Sequence, residues 1–431
     1  MARILDAADA GFARAYAQLI AERGQRFDKA DAIAREIVAR VRTEGLPAVL
    51  DYTQRFDKVA LTADSLRVTP DEIERAYAAC PRDLIAALEE AAERIAIFHA
   101  RERPQNGAFT DAHGVSLGWR WNAVDAAGLY APGGLAAYPS SVLMNAVPAK
   151  SAGVKRLAMA TPPARLMENP AILAAAKIAG VDEIWKIGGA QAIAALAYGA
   201  GPLQACDVVV GPGRDFVAAA KKIVFGDVGV DAVAGPSEVF ILCDGGADPR
   251  WIAADLLAQA EHDADAQSVL FVTDRAYAEA VADAVEAQLA AGQAGASARQ
   301  SWQTHGAIVI VRALEDAAAL VDRAAPEHVQ IAAVHADRLA GLIRHAGALF
   351  LGLYAPEALG DYVAGPSHVL PTTRAARFSA GVSTYTFMKR TSVIGADEKA
   401  IAAIGPAAAR IADAEGLPAH ARSIRIRLGD G

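Results

Sequence analysis

Cysteine, long apolar runs and excess positive charge are all scarce in this chain of 431 residues. The three cysteines lie far apart without CxxC spacing. This argues against a disulfide framework and indicates a reducing compartment, where each cysteine is expected to be a buried apolar side chain rather than a nucleophile. No segment approaches the roughly 18 apolar residues of a membrane span, and charged residues interrupt any signal-like run at the N-terminus. We therefore expect a cytoplasmic protein.

The charge balance and the length restrict the class of protein further. A formal net charge of −8 argues against a surface for nucleic acid or for anionic membranes. A content of 53% hydrophobic and 21% charged residues is typical of a soluble globular protein. A chain of this length predicts two or three domains rather than one core.

The first hundred residues are predicted to be mostly helical. Residues 31–44 and 71–98 are rich in alanine, lack glycine, and alternate apolar with charged residues near a period of 3.6. Thr69 is a suitable N-cap for the second helix, because Pro70 and two acidic residues follow it.

From residue 128 onward, short apolar runs alternate with alanine-rich helices, which predicts βαβ units and parallel sheets. One sheet of eight strands is possible, but the glycine-rich passage 226–236 favours a crossing between two lobes. A ligand site would then lie between the lobes, at the carboxyl ends of strands. A tail helix is predicted at 398–414, followed by an extended segment at 423–428. The predicted strands are 156–160, 183–187, 207–210, 238–242, 268–272, 307–311, 329–334 and 348–352.

Two short motifs carry ionisable or ligating side chains. Gln259 and His262 are three residues apart at the end of a predicted helix, so both can reach one ligand, although a helical histidine more often has a capping or core role. Two imidazoles, a carboxylate and an amide oxygen would suit zinc or a similar divalent ion. Glu327 and His328 follow Pro326, which biases Ala325 towards extended geometry. Such a pair at an element boundary can transfer protons, or can be an ordinary surface turn.

Glycine-rich turns offer backbone for close ligand approach. Such turns occur at 130–134 and 188–191, and the second lies between a strand and a helix, where backbone amides can hold a phosphate. The G-x-G-x-x-G dinucleotide fingerprint is missing, because the turn at 211–213 lacks its third glycine. The turn at 235–238 is also compatible with an ordinary tight turn before a strand. His368 is interpreted as a spare imidazole.

Together these segments closely resemble the histidinol dehydrogenase family, from about residue 25 almost to the end of the chain. They occur in the order of the family, which makes the resemblance specific. The matching segments are 130–134, 138–145, 188–194, 235–239, 259–263, 326–328, 360–362, 368–372 and 415–420.

The resemblance implies a four-electron oxidation of L-histidinol through L-histidinal to L-histidine, with two NAD reduced and one Zn²⁺ per subunit. It implies that His328 is the general base and that Glu327 activates the water that adds to the aldehyde. The implied zinc ligands are Gln259, His262, Asp361 and His420. The implied substrate-binding residues are Ser237, Gln259, His262, Glu327, His328, Asp361, Glu415 and His420. The implied cofactor-binding residues are Tyr130, Gln191 and Arg214.

With the resemblance, the predicted fold is α/β, with two Rossmann-like lobes of incomplete doubly wound parallel sheets. The expected domains are a helical N-terminal arm (1–25), a first lobe with the metal and catalytic residues (26–129 with 238–381), an NAD-binding second lobe (130–237), and a tail (382–431). The resemblance also implies an intertwined homodimer in which the tail, with Glu415 and His420, completes the partner's active site.

One departure and two alternatives stay open. The family usually has Asn where this chain has Arg214, and an arginine there could favour the 2′-phosphate of NADP. A related zinc dehydrogenase acting on another alcohol is one alternative, although the tail carboxylate of Glu415 suits the cationic amino group of histidinol. A zinc hydrolase, in which Glu327 and His328 activate metal-bound water, is the alternative from a different class; the glycine-rich turns argue against it.

Overall fold

A computed structural model describes residues 3–21, 28–132, 138–213, 215–232 and 235–429. Within these ranges, residues 28–102 are mostly helical, and helices and strands alternate from residue 126 onward, as predicted. The strands are β1 (Arg3–Asp6), β2 (Gly107–Thr110), β3 (Ser116–Ala123), β4 (Ala126–Tyr130), β5 (Arg156–Thr161), β6 (Glu183–Lys186), β7 (Val208–Val210), β8 (Gly229–Val230), β9 (Glu238–Cys243), β10 (Gln267–Val272), β11 (Ala307–Ile310), β12 (His328–Ala332), β13 (Ala348–Leu351) and β14 (Met388–Gly395).

The α-helices cover the faces of the sheets and form the tail. They are α1 (Phe12–Ala21), α2 (Asp28–Glu44), α3 (Leu46–Tyr52), α4 (Pro70–Ala79), α5 (Arg82–Glu102), α6 (Pro139–Ala152), α7 (Pro163–Glu168), α8 (Ala171–Ile178), α9 (Gly189–Tyr198), α10 (Asp215–Val224), α11 (Pro249–Ala260), α12 (Arg275–Ala290), α13 (Ala298–His305), α14 (Leu314–Ala324), α15 (Ala336–Ala340), α16 (Glu357–Tyr362), α17 (Glu398–Ala414) and α18 (Pro418–Arg425). A π-helical turn (Thr53–Asp57) follows α3, and 3₁₀ turns occur at Ala375–Arg377, Thr384–Phe387 and Ile426–Leu428.

Two parallel sheets form the two lobes. The larger sheet has six strands in the order β1-β11-β10-β9-β12-β13, and the smaller has five in the order β6-β5-β4-β7-β8. Every strand pair within both sheets is parallel. The central strands β9, β10 and β12 are buried along their whole length, as helices on both faces require. The prediction of two α/β lobes is confirmed, and all eight predicted strands are present.

The chain crosses from the smaller to the larger sheet between β8 and β9, within the predicted glycine-rich passage. Gly235 lies in this crossing, where the backbone approaches the loop that follows β13 and α16. A Cβ placed on Gly235 would lie 1.9 Å from the Oγ1 atom of Thr373, so a larger residue does not fit here without movement of that loop. The Gly235 amide also donates a hydrogen bond to the Thr372 hydroxyl.

Helices α2 to α5 pack on the smaller sheet, which differs from the predicted domain assignment. Residues 26–129 were expected in the lobe that contains 238–381. Instead, Ile37 and Val41 of α2 share a core with β7 and α9 of the smaller lobe, and α5 packs against α6. The first residues also differ, because β1 extends the larger sheet by pairing with β11. Apolar faces of helices carry no information about which of two sheets they will cover.

The predicted helix at 71–98 is two helices. Pro81 separates α4 from α5, because a proline cannot donate the helical hydrogen bond and restricts the residue before it. The predicted start is confirmed: the Thr69 hydroxyl accepts from the Glu72 amide, and Glu72 caps the Thr69 amide in return.

The C-terminal part contributes a strand to a third sheet and ends in two packed helices. β14 joins β3 and β2 in an antiparallel sheet, and α17 has the predicted bounds and packs against α18. The prediction of an extended segment at 423–428 is wrong, because α18 continues to Arg425 and a 3₁₀ turn follows it. In the described part of the chain, no helix has the length and apolar character needed to cross a membrane.

Candidate active site

The ionisable residues of interest gather in the gap between the two sheets. Glu238 and His328 are the first residues of the neighbouring strands β9 and β12. They therefore lie at the amino edge of the larger sheet, whereas we expected the carboxyl ends. The carboxyl-end prediction does suit the smaller sheet, because Tyr130 ends β4 and Gly211 follows β7. The reason is the short crossing from β8 to β9, which places the carboxyl edge of one sheet against the amino edge of the other.

Gln259 and His262 both lie near this edge, where α11 ends before β10. Gln259 is in the last turn of α11, and His262 follows the helix, with its amide donating to the Gln259 carbonyl at 3.2 Å. The two residues were predicted to lie on one helix, but His262 lies in the turn after α11, and this hydrogen bond keeps it beside Gln259. Gln259 is completely buried, and neither atom of its side-chain amide has a hydrogen-bond partner within the described residues. An orphaned buried amide fits a site that binds a ligand or an ion.

Asp361 joins His262 from α16, which packs against α11. The Asp361 Oδ2 atom lies 3.6 Å from His262 Nε2. The neighbouring carboxylate raises the pKa of His262. Burial by itself would raise the pKa of Asp361, but His262 and the imidazoles of His368 and His328 keep it below its usual value.

Glu357 completes a cluster that the motif analysis missed. One ligand atom from each of His262, Glu357 and Asp361 lies within 4.8 Å of the others. Among the described residues, these three side chains are spaced closely enough to hold a metal ion. Glu357 is buried at the start of α16, one helical turn before Asp361. Burial raises its pKa well above the usual value, with further contributions from Asp361 and Glu327. The i, i+4 spacing of Glu357 and Asp361 was the available sequence signal.

Glu327 and His328 are buried side chains rather than part of a surface turn. Burial raises the pKa of Glu327 well above its usual value and the Glu238 charge adds to this, whereas the Ser237 hydroxyl opposes it. Burial lowers the pKa of His328 to about 4. The prediction that Ala325 is extended is wrong. Ala325 is the C-cap of α14 and has a left-handed backbone with a φ of 47°, and its amide donates to the Val321 carbonyl.

His368, which we interpreted as a spare imidazole, belongs to the cluster. Its Nδ1 atom lies 2.9 Å from the Asp361 carbonyl oxygen, and its Nε2 atom lies 3.4 Å from the Ser141 hydroxyl. Ser141 is in the first turn of α6, on the smaller lobe. His368 therefore connects the two lobes at the site.

The tail residues Glu415 and His420 are exposed and lie outside this cluster. Glu415 ends α17 and His420 is in α18. Within the described residues, the group with metal-binding geometry does not include His420. Of the four predicted zinc ligands, this single chain brings His262 and Asp361 into contact.

Three turns of the smaller lobe form a second place where a ligand could approach the backbone. The Tyr130 hydroxyl accepts a hydrogen bond from the Gly189 amide at 3.1 Å, and burial raises the pKa of Tyr130 to about 12. Gln191 is buried in the first turn of α9. Gly211 has a φ of 120°, and a Cβ there would lie 2.2 Å from the Tyr130 carbonyl oxygen. Arg214 and residues 133–134 of the predicted turn lie outside the described residues.

A buried ion pair holds the Gly211 turn in place. Lys221 of α10 donates to the Gly211 carbonyl at 2.9 Å, and the Gly211 amide donates to Asp231 Oδ2 at 2.9 Å. Lys221 and Asp231 also pair directly with each other, and both side chains are almost completely buried. Narrow turns at the carboxyl ends of parallel strands are where dinucleotides bind in open α/β sheets, so the residues present fit such a ligand.

Comparison with known proteins points to one family. A family model described as histidinol dehydrogenase matches residues 21–428. Histidinol dehydrogenases of Caulobacter vibrioides and Rhodospirillum rubrum are each 53% identical to this chain, over 98% and 99% of both chains, respectively. A crystal structure of histidinol dehydrogenase from Elizabethkingia anophelis superposes with a TM-score of 0.92 at 34% identity, covering 99% of this chain and 98% of that one.

Proposed function

The chain belongs to the histidinol dehydrogenase family, and we propose that it oxidises L-histidinol through L-histidinal to L-histidine, with NAD as the hydride acceptor. The observation that carries this proposal beyond the family is the buried pair Glu327 and His328 beside the cluster of His262, Asp361 and His368. An acid–base pair and a ligating cluster in one cleft suit an alcohol oxidation in which the intermediate aldehyde must not escape.

The ligating residues support a zinc site. Gln259, His262 and Asp361 would hold the ion, together with His420 of a second copy of the chain. The orphaned amide of Gln259 supports this, because a buried polar group without a partner is costly unless it binds something. When bound, Zn²⁺ would hold the imidazole and amino groups of the substrate and so orient the reacting carbon. Glu357 is a further carboxylate within reach of this group.

His328 is suited to act as the general base. Burial lowers its pKa to about 4, so its imidazole is neutral at physiological pH and can accept a proton. In the first oxidation, His328 takes the proton of the substrate hydroxyl while a hydride leaves the same carbon for the nicotinamide of NAD. The products are the aldehyde and NADH.

Glu327 is suited to the hydration step. Burial and the Glu238 charge raise the pKa of Glu327 well above its usual value, which makes its carboxylate a stronger base than an exposed one. Glu327 accepts a proton from the water that adds to the aldehyde carbon. His328 then deprotonates the hydrate, and a second hydride goes to a second NAD. The sum is one alcohol, two NAD⁺ and one water converted into one carboxylate, two NADH and three protons.

The smaller lobe is proposed to bind NAD. Tyr130 and Gln191 match the family's cofactor-binding residues, Arg214 occupies the position where the family usually has Asn, and the glycine turns beside Tyr130 and Gly211 leave backbone open for close approach. Ser237, beside Glu327, and the tail residue Glu415 of a second copy would bind the substrate. The exposed positions of Glu415 and His420 support an intertwined homodimer, since both residues are available to a neighbouring subunit.

The decisive measurement is NADH produced per histidine formed, by purified protein supplied with L-histidinol and NAD. We expect two NADH per histidine, and loss of the rate after chelation that returns when Zn²⁺ is restored. No NADH from histidinol, but turnover of another alcohol, would contradict the substrate assignment. Hydrolysis without NADH would instead favour the zinc hydrolase.

A further inference from the structure

Glu238 stands at the centre of the hydrogen bonds around the proposed catalytic pair. We propose that Glu238 is the positioning residue that holds Glu327 and His328 in their reactive orientations, through both its backbone and its carboxylate. The roles of Glu327 and His328 rest on the proposed function, whereas their contacts with Glu238 do not. Glu238 itself is buried, and the proposed reaction assigns it no proton transfer.

The backbone of Glu238 contacts both catalytic side chains. Its amide donates to Glu327 Oε2 at 3.1 Å, and its carbonyl oxygen lies 3.0 Å from His328 Nδ1. Carboxylate oxygens of Glu327 and Glu357 lie 3.7 and 3.6 Å from the same Nδ1 atom, which is too far for a hydrogen bond. A carbonyl can only accept, so Nδ1 carries the proton and Nε2 is left as the base.

The carboxylate of Glu238 also accepts hydrogen bonds from the backbone. One oxygen accepts from the Glu327 amide at 3.3 Å, and the other accepts from the Thr373 amide at 3.2 Å. Each glutamate therefore binds the backbone amide of the other. Hydrogen bonds to an ionised carboxylate are stronger than neutral ones. Both bonds constrain loops: Glu327 follows the left-handed Ala325, and Thr373 has a φ of 52°.

Strand register explains why one residue reaches both. β9 and β12 are parallel neighbours, and His328 is level with Val239. The residues just before them, Glu327 and Glu238, therefore face each other where the two strands begin. The side chains of Glu238 and Glu327 are both buried, so bulk water does not readily replace a lost hydrogen bond. A side-chain amide at position 238 would leave one backbone N–H without an acceptor.

The test is Glu238→Gln, which keeps the size of the side chain and removes one acceptor oxygen. Rates would be measured separately with L-histidinol and with L-histidinal. We expect kcat to fall by about 10²-fold with either substrate, because a misplacement of roughly 1 Å has that effect on positioned groups. We expect KM and zinc content to stay near the wild-type values.

Gln267→Leu is the matched control. Gln267 is the register partner of Glu238 in β10, and it is equally buried at the start of its strand. Its side chain binds the carbonyls of Leu19 and His305, away from the catalytic pair. The control should match the loss of thermal stability in Glu238→Gln and retain kcat. Equal losses of kcat in both variants, or a kcat within about twofold of wild type in Glu238→Gln, would overturn the proposal.

A second test uses the wild-type protein, so its result does not depend on whether Glu238→Gln folds. The ¹⁵N chemical shifts of His328, assigned by comparison with His328→Asn, report which ring nitrogen carries the proton. The proposal requires Nδ1–H, and a proton on Nε2 of the neutral ring would refute it. This result does not depend on turnover: absence of NADH from wild-type protein would count against the proposed function alone.

Discussion

The buried ion pair beneath the Gly211 turn allows a stability prediction with an internal control. Lys221 and Asp231 are exposed by only 2% and 4%. Substituting Lys221→Met removes the cation and leaves the Asp231 carboxylate buried, with the Gly211 amide still donating to it. The Gly211 carbonyl also loses its donor.

The expected magnitude follows from this burial. Removing one partner of a buried ion pair costs about 3–5 kcal/mol, because an uncompensated charge stays in a region of low dielectric constant. Lys222 is the next residue on the same helix, and its side chain is 60% exposed in a pair with Asp31. An exposed pair contributes below about 1 kcal/mol, so Lys222→Met should change the free energy of unfolding little.

Urea unfolding followed by circular dichroism would measure both variants. The double variant Lys221→Met, Asp231→Asn should be less destabilised than Lys221→Met alone, because it removes the buried unpaired charge. The dissociation constant for NAD should rise in Lys221→Met, because the ion pair holds the turn at the proposed cofactor cleft. A cost below about 1 kcal/mol for Lys221→Met, or a cost equal to that of Lys222→Met, would refute the reasoning.

Three further predictions concern single side chains. His328→Ala should abolish NADH formation from histidinol and leave the zinc content unchanged, since His328 is proposed to transfer protons and not to bind the metal. Asp57→Asn should raise the melting temperature at pH 7.5 and have little effect at pH 4. Burial raises the pKa of Asp57 to about 6, so its ionised form destabilises the fold as the pH rises above the value in the unfolded chain. Tyr130→Phe should weaken NAD binding, measured by titration, because the Gly189 amide loses its acceptor.

Each of these has an outcome that contradicts it. Loss of zinc from His328→Ala would mean that its role is wrongly assigned. An equal gain of stability for Asp57→Asn at pH 4 and pH 7.5 would show that ionisation is not the cause. Unchanged NAD affinity in Tyr130→Phe, with histidinol affinity reduced, would separate Tyr130 from the cofactor site.

Local signals predicted the elements that build the site. Thr69, Pro70 and Glu72 carry the chemistry of a helix start by themselves, and the structure contains the complete capping box. Buried strands such as β9 and β10 are readable because both faces of a parallel sheet are covered, so that apolar residues follow one another after the first polar ones. Strands β2, β3 and β14 were not predicted; β2 and β3 are short neighbours in the chain, and β14 joins them antiparallel from a segment far along the chain.

The residues of the proposed site were partly readable in the same way. Glu327 and His328 were singled out as an ionisable pair after a proline at an element boundary. His368 was set aside, and Glu357 was not considered, because each becomes significant only through neighbours on other elements. A sequence motif shows residues that are adjacent along the chain, and the cluster of His262, Glu357 and Asp361 comes from two separate helical segments.

The sequence by itself determined the α/β class, the family and the pair that is proposed to transfer protons, because periodicity and motif order are properties of the linear chain. Only the tertiary structure decided that the larger sheet presents its amino edge to the cleft, and that helices α2 to α5 cover the smaller sheet. The physical reason is that pairing and burial depend on which surfaces meet in space. The burial that lowers the pKa of His328 and raises that of Glu327 exists only once the two lobes have closed around them.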